Sequence, residues 1–239
     1  MIPVSVAVYF DTYAGERTDG DMITENKTII RTVLFDFGGV IAEEGYVTAL
    51  SETAREQGLD PETVIQSAYD AADVTGFPLG RITERDFWPV FFEKTGLKES
   101  AKTLKERIFA DFRPRQWMMD IVDRVRGRGV LACLLSDHSS WLEELDDVYD
   151  FFSSFDRVFN SYRHGRLKRD PATFDWVLGE LDIVPRETLL IDDSLPNIES
   201  GGSRGLHTVY FDERERAVGE LISMFPFLAD VKMPGLDSG

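Results

Sequence analysis

The chain has 239 residues, 43% of them hydrophobic, and sets 43 acidic against 26 basic side chains for a formal net charge of −17. It can bury one substantial core and carry a smaller appendage, but its summed negative field excludes extended contact with nucleic-acid phosphates or an anionic membrane surface. A lone cysteine, Cys133, excludes a disulfide within the chain and fits a reducing, cytoplasmic setting, and the lack of any long unbroken apolar run argues against a membrane span.

The opening "MIPVSVAVYFDTY" has no basic segment and its apolar run breaks at Asp11, so no secretory signal is expected. "VAVYFDTYAG" is similar to the later "TVLFDFGGVI", which makes Asp11 a rival of Asp36 as a strand-end carboxylate. Asp11 leads only into a polar, turn-rich stretch. Asp36 is therefore preferred, and residues 1–28 read as an extension, either an added strand or a loose arm.

"TVLFDFGG" at 32–39 is the first apolar run bounded by Asp and Gly, the pattern of a strand buried on both faces. Residues 45–113 then read as several amphipathic helices. "YVTALSETAREQGL" comes first, and "DPETVIQSAYDAA" follows with Asp60 and Pro61 as its start signal. A third helix starts at Thr83 with Asp86 three residues on, where Pro89 predicts a kink, and "LKESAKTLKERIFADF" is the fourth. The aromatics Phe87, Trp88, Phe91 and Phe92 could wall a substrate, although aromatics at helical spacing are more often packing.

Beyond residue 113, helical spacing at Met118, Ile121, Val122 and Val125 and again at Phe174, Val177, Leu178 and Leu181 alternates with the strand patterns "VLACLLSD", "RVFNS", "TLLIDDS" and "HTVYFD". Such alternation implies βαβ units and a Rossmann-like parallel sheet in an α/β fold. The expected division is a core of residues 29–44 and 114–239 with a helical cap, 45–113, inserted after the first core strand. Near the end, "LISMFPFLADV" could dock on the sheet or mediate association.

Four strand-end positions carry chemistry: Asp36, Ser136, Lys168 and the pair Asp192 and Asp193. In a parallel sheet the carboxyl ends of the strands open onto one crevice, so such residues converge despite their distance in sequence. Carboxylates suit Mg²⁺, a hard cation that takes oxygen ligands. A lysine and a serine can cradle a phosphoryl group, and with its charge neutralised a carboxylate can attack phosphorus.

The ordered set "DFGGV", "LLS", "GRLKRDP" and "LLIDDSLPNIESGGSRGL" resembles the four motifs of the haloacid dehalogenase superfamily, in the subfamily with a helical cap after the first motif. The resemblance implies that Asp36 is a nucleophile forming an aspartyl phosphate and that Mg²⁺ is held by Asp36, the Gly38 carbonyl, Asp193 and, directly or in support, Asp192. It makes Ser136 and its neighbour Asp137 the phosphate-binding positions, Lys168 the neutralising lysine, and Asn197 a support of the metal loop.

The departures bear on activity. Gly38 stands where the usual phosphatase form has a second aspartate that handles the leaving-group proton, help typically worth about 10² to 10⁴-fold. A D-x-G motif is similar to that of the glucose-1-phosphatase-like branch, which favours a sugar phosphate, in particular a sugar 1-phosphate whose leaving group needs little protonation. Otherwise His138, Glu43 or Glu44 could replace the missing acid. Asp137 would repel a phosphate unless paired or turned away, and Arg169 could bind substrate or pair with Asp170. The leading expectation is a Mg²⁺-dependent phosphatase of a small phosphorylated metabolite. The alternative is a catalytically weak relative that binds a phosphorylated ligand or a partner, and a dehalogenase fits less well because "IDDS" keeps the double aspartate.

Overall fold

The computed structural model describes residues 8–9 and 29–232. Asp11, most of the amino-terminal extension and the last seven residues lie outside them. Within the extension, β1 (Val8–Tyr9) pairs antiparallel with β2 (Ile29–Ile30).

The main sheet is built from short apolar segments. Its first strand is β3 (Thr32–Phe35). Four helices follow before the sheet is rejoined: α1 (Gly45–Glu56), α2 (Pro61–Thr75), α3 (Glu84–Thr95) and α4 (Ala101–Asp111). The chain then runs α5 (Gln116–Gly127), β4 (Leu131–Ser136), α6 (Trp141–Tyr149), β5 (Arg157–Asn160), α7 (Ser161–His164), α8 (Ala172–Leu181), β6 (Thr188–Asp192), α9 (Leu195–Ser203), β7 (His207–Tyr210) and α10 (Arg214–Met224).

The five strands lie in the order β5-β4-β3-β6-β7, all parallel. Every residue of β3 and β6 is buried, which explains why they read as unbroken apolar runs and not as alternating ones. Alternation is still present in three dimensions: Val33 and Phe35 enter a large core on one face, while Leu34 joins Cys133, Leu190, Phe174 and Val177 on the other. Burial pushes the Cys133 thiol up to about 12, so it is a packing group and not a nucleophile.

Register places Phe35 beside both Leu134 and Ile191, which brings the carboxyl ends of β3, β4 and β6 to one level. The chain leaves β3 for β4 and β5 on one side, then returns to β6 and β7 on the other. This reversal opens a crevice at the end of β3, where ligands of open α/β sheets bind.

The helices between β3 and α5 pack as α1 on α4 and α2 on α3. Asp60 caps α2 by accepting from the Thr63 N–H at 2.9 Å, and Ser100 caps α4 by accepting from Thr103 at 3.1 Å. α3 continues across Pro89 to Thr95. The Ser161 hydroxyl donates to the Pro78 carbonyl at 2.7 Å, and Lys105 of α4 bridges to Glu144 of α6 at 2.7 Å, joining this layer to the sheet layer. At the other end of the chain Leu221, Phe225, Leu228 and Val231 are buried in the large core, so "LISMFPFLADV" docks on the body of the protein. Among the described residues no helix is long and apolar enough to cross a membrane.

Because Asp60 also accepts from the Thr63 hydroxyl at 2.6 Å, Asp60→Ala is expected to destabilise the start of α2. Thermal unfolding should show a lower Tm; an unchanged Tm would mean that the cap contributes nothing.

Candidate active site

The site is organised around one buried ammonium group. Lys168 is 1% exposed, and its Nζ lies 2.7 Å from Asp36 Oδ1 and 2.6 Å from Asp192 Oδ2. Asp36 follows β3 directly, its N–H donating to the Ile191 carbonyl at 3.0 Å, and Asp192 ends the neighbouring strand β6. The lysine comes from the loop after α7. That loop is fastened by the Lys168 N–H, which lies 3.1 Å from both carboxylate oxygens of Asp137. The carboxylate that threatened to repel a phosphate is therefore paired.

Asp192 Oδ1 accepts from the Ser194 N–H at 2.9 Å and from Asn197 Nδ2 at 3.1 Å, so Asn197 braces the aspartate pair. Asp36, Asp192 and Asp193 offer ligand oxygens that all lie within 4.8 Å of one another. Gly39 has a φ of +73°, and a side chain there would collide with the Asp193 carboxylate. Glycine is thus required twice over, for its left-handed backbone and for the close approach.

Three carboxylates facing one lysine leave the site short of positive charge. Burial is the largest influence on the Asp36 carboxyl and pushes its proton affinity well above the usual range, with Asp192 and Asp193 adding to burial and Lys168 opposing it. Burial and then Asp192 raise Asp193 to about 6, and burial raises Asp137 to about 6. Lys168 loses from burial but gains more from Asp192, Asp36 and Asp137, so it stays charged. An oxygen-only donor set with excess negative charge fits a hard divalent cation such as Mg²⁺.

Asp36, Gly38, Ser136, Asp137, Lys168 and Asn197 all line a cavity of about 510 Å³, and Asp192 lies fully buried beneath them. The three candidate acids separate. Glu43 points outward and is gripped by Arg115 through contacts of 2.8 and 2.7 Å, which hold its carboxyl below the usual value. His138 lines the cavity, but it is wedged edge-on against Phe37 and Phe112, and burial drops its pKa to about 4. Glu44 lines the cavity and its Oε1 occupies the space that a Cβ on residue 38 would fill. Burial, helped by Asp193, raises its carboxyl to about 7.

Arg169 lines the cavity and pairs with Asp73, not with Asp170. Its guanidinium lies 3.0 Å from Asp73 of α2 across the cavity mouth, while Asp170 accepts from the Ala172 N–H. Of the four aromatics on α3, only Phe87 lines the cavity; Trp88 and Phe91 are buried in the core, and Phe92 stacks on Trp88. Sequence reasoning missed Arg115, which donates to the Gly39 carbonyl and, at 3.1 Å, to the Val40 carbonyl, pinning the loop behind Asp36. It also missed Tyr46, Tyr69, Phe77 and Trp141 of the cavity wall. A lone arginine ahead of an amphipathic helix carries no motif, and wall aromatics scattered over four elements share no spacing.

Residues 30–203 match the haloacid dehalogenase-like hydrolase family. The chain is 26% identical over 221 residues to Acyl-CoA dehydrogenase family member 10 of Mus musculus, covering 85% of this chain but only 20% of that protein. It is 25% identical to the sesquiterpene phosphatase astK of Aspergillus oryzae over 75% of this chain and 90% of the relative. A family enzyme from Bacteroides thetaiotaomicron, solved with magnesium and inorganic phosphate, shares the fold with a TM-score of 0.59 at 21% identity, over 76% of this chain and 93% of that one.

Glu44 yields a test of the site's electrostatics without turnover. A carboxyl raised from 4.5 to about 7 in the folded state contributes stability that is complete below its unfolded value and is lost as pH rises through its folded one. Metal-free wild type is therefore expected to lose roughly 3 kcal/mol relative to Glu44→Gln across that window. In EDTA the Tm gap between the two proteins should widen with pH; a constant gap would show that the carboxyl is not held in this environment.

Proposed function

Since the chain belongs to the haloacid dehalogenase-like hydrolase family, we propose that it is a Mg²⁺-dependent phosphatase of a small phosphorylated metabolite, working through an aspartyl phosphate. The observation that carries this reading is the buried Lys168 held between Asp36 and Asp192 with Asp193 alongside. A module that only binds a ligand has no use for a carboxylate so placed at the foot of a cavity.

In this reading Asp36, Asp193 and the Gly38 carbonyl hold the cation. Asp192, whose oxygens already accept from Lys168, Ser194 and Asn197, serves mainly to orient the site. When bound, the cation supplies the positive charge that allows an anionic phosphoryl group to approach three carboxylates. The Ser136 hydroxyl and the Lys168 ammonium cradle the phosphoryl oxygens, with the Asp137 side chain committed to the Lys168 backbone.

A carboxylate oxygen of Asp36 attacks phosphorus, forming the Asp36–phosphorus bond as the ester oxygen–phosphorus bond breaks. The departing alkoxide needs a proton. Gly38 has none to give, and Glu44, whose carboxyl fills the space beside it, donates one. Water then attacks phosphorus, the Asp36–phosphorus bond breaks, Glu44 takes up the water's proton, and inorganic phosphate departs from a restored carboxylate. General acid-base help of this kind is typically worth about 10² to 10⁴-fold.

Phosphate release should be measured from p-nitrophenyl phosphate and from alkyl phosphates, with Mg²⁺ and with EDTA. Asp36→Asn is expected to lose at least about 10³-fold in kcat, and EDTA should abolish turnover. Glu44→Gln should lose about 10² to 10⁴-fold on alkyl esters but far less on the nitrophenyl ester, whose leaving group needs no proton. Turnover that survives in Asp36→Asn would overturn the reading; equal losses on both ester types would remove Glu44 from its role.

A further inference from the structure

The cavity wall opposite Asp36 points to the alcohol that leaves. Resting on the phosphatase reading, we propose that the substrate is the monophosphate of a largely apolar alcohol of prenyl or ring-containing type, and that sugars and polyols are poor leaving groups here. The D-x-G motif favoured a sugar 1-phosphate, but the lining carries the argument in another direction.

Six rings line the cavity: Tyr46, Tyr69, Phe77, Phe87, Trp141 and, beside Gly38, Phe112. Four of them, Phe77, Phe87, Phe112 and Trp141, are fixed deep in the fold at 1 to 3% exposure. Phe77 stacks on Phe87 with centroids 4.7 Å apart and meets Trp141 edge-on at 5.6 Å. The wall is therefore preformed, and an apolar guest gains contact without any repacking. At about 510 Å³, the space suits a ligand of drug-like size, well beyond a phosphoryl group alone.

Polar partners on this side are few. The Gln66 amide donates to Asp70 at 3.0 Å, and Asp73 and Arg169 pair with each other at the mouth. His138 stands edge-on between two phenylalanines, and its Nδ1 and the Trp141 Nε1 are buried without a hydrogen-bond partner among the described residues. These two ring nitrogens and the hydroxyls of Tyr46 and Tyr69 are too few to match the hydroxyls of a hexose. Most sugar hydroxyls set against these rings would lose water without replacement, which disfavours binding, whereas each buried methylene of an apolar alcohol improves it.

The test compares kcat/KM for farnesyl and naphthyl monophosphates with that for glucose 1-phosphate and ribitol 5-phosphate, using p-nitrophenyl phosphate and Asp36→Asn to report on the phosphatase reading itself. The apolar esters are expected to lead by at least about tenfold. Tyr69→Ala, at a position 46% exposed and so tolerant of truncation, should narrow that lead, and Tyr69→Phe should keep it. In parallel, the binding of farnesyl and glucose phosphates to Asp36→Asn with Mg²⁺ is read by tryptophan fluorescence, for which Trp141 sits in the wall. Sugar or polyol phosphates turned over or bound as well as the apolar ones would overturn the inference. Absence of Asp36-dependent turnover on every ester would instead sink the phosphatase reading, and the binding preference would still decide the nature of the wall.

Discussion

An ammonium group cannot be buried without carboxylates, and here the carboxylates come first. Asp36 and Asp192 end adjacent strands of a parallel sheet, so the register that pairs Phe35 with Ile191 also sets the two side chains side by side. Lys168, drawn from a third segment, satisfies both. A buried pair of this kind stabilises little on balance, yet removing one partner strands a charge in low dielectric and is severely destabilising. The fold and the site are thus bound to the same three residues. Asp193 adds a further negative charge, and the raised proton affinities of Asp36 and Asp193 express the resulting deficit of positive charge, which a bound cation would relieve.

The remaining structure serves this cluster from two directions. Behind it, Arg115 holds the carbonyls of Gly39 and Val40 and the carboxylate of Glu43, so the loop that presents Asp36 is fastened to the start of α5. In front, the α1 to α4 layer contributes Glu44, Tyr46, Tyr69, Phe77 and Phe87 to the same cavity that the sheet lines with Ser136 and Lys168. The strand ends and the loop after α7 present the charged groups, and the helices present most of the aromatic wall.

The sheet was legible because its strands are buried on both faces and interrupted by glycine and aspartate, a pattern that few helices imitate. Asp36, Ser136 and the aspartate pair were legible because strand ends converge by topology alone; Lys168 was read as a strand-end position too, but it reaches the site from the loop after α7, since β5 already ends at Asn160. Glu44 could be named but not separated from Glu43, since neighbours in sequence differ only in which way the turn points them: Glu43 toward Arg115, Glu44 toward the cavity. The pairing of Arg169 with Asp73 in place of Asp170 was not legible because the two lie 96 positions apart, a contact that no local pattern encodes. Pro89 lies inside α3, which continues across it to Thr95, with Phe87, Trp88 and Phe91 buried around it.

Glu44 and the missing side chain at Gly38 share one space, but the atom that fills it is the far end of a flexible side chain. A side chain gained at 38 would turn the Glu44 carboxyl aside and leave the backbone undisturbed. The loop could thus exchange one acid for another at this spot without passing through a broken fold.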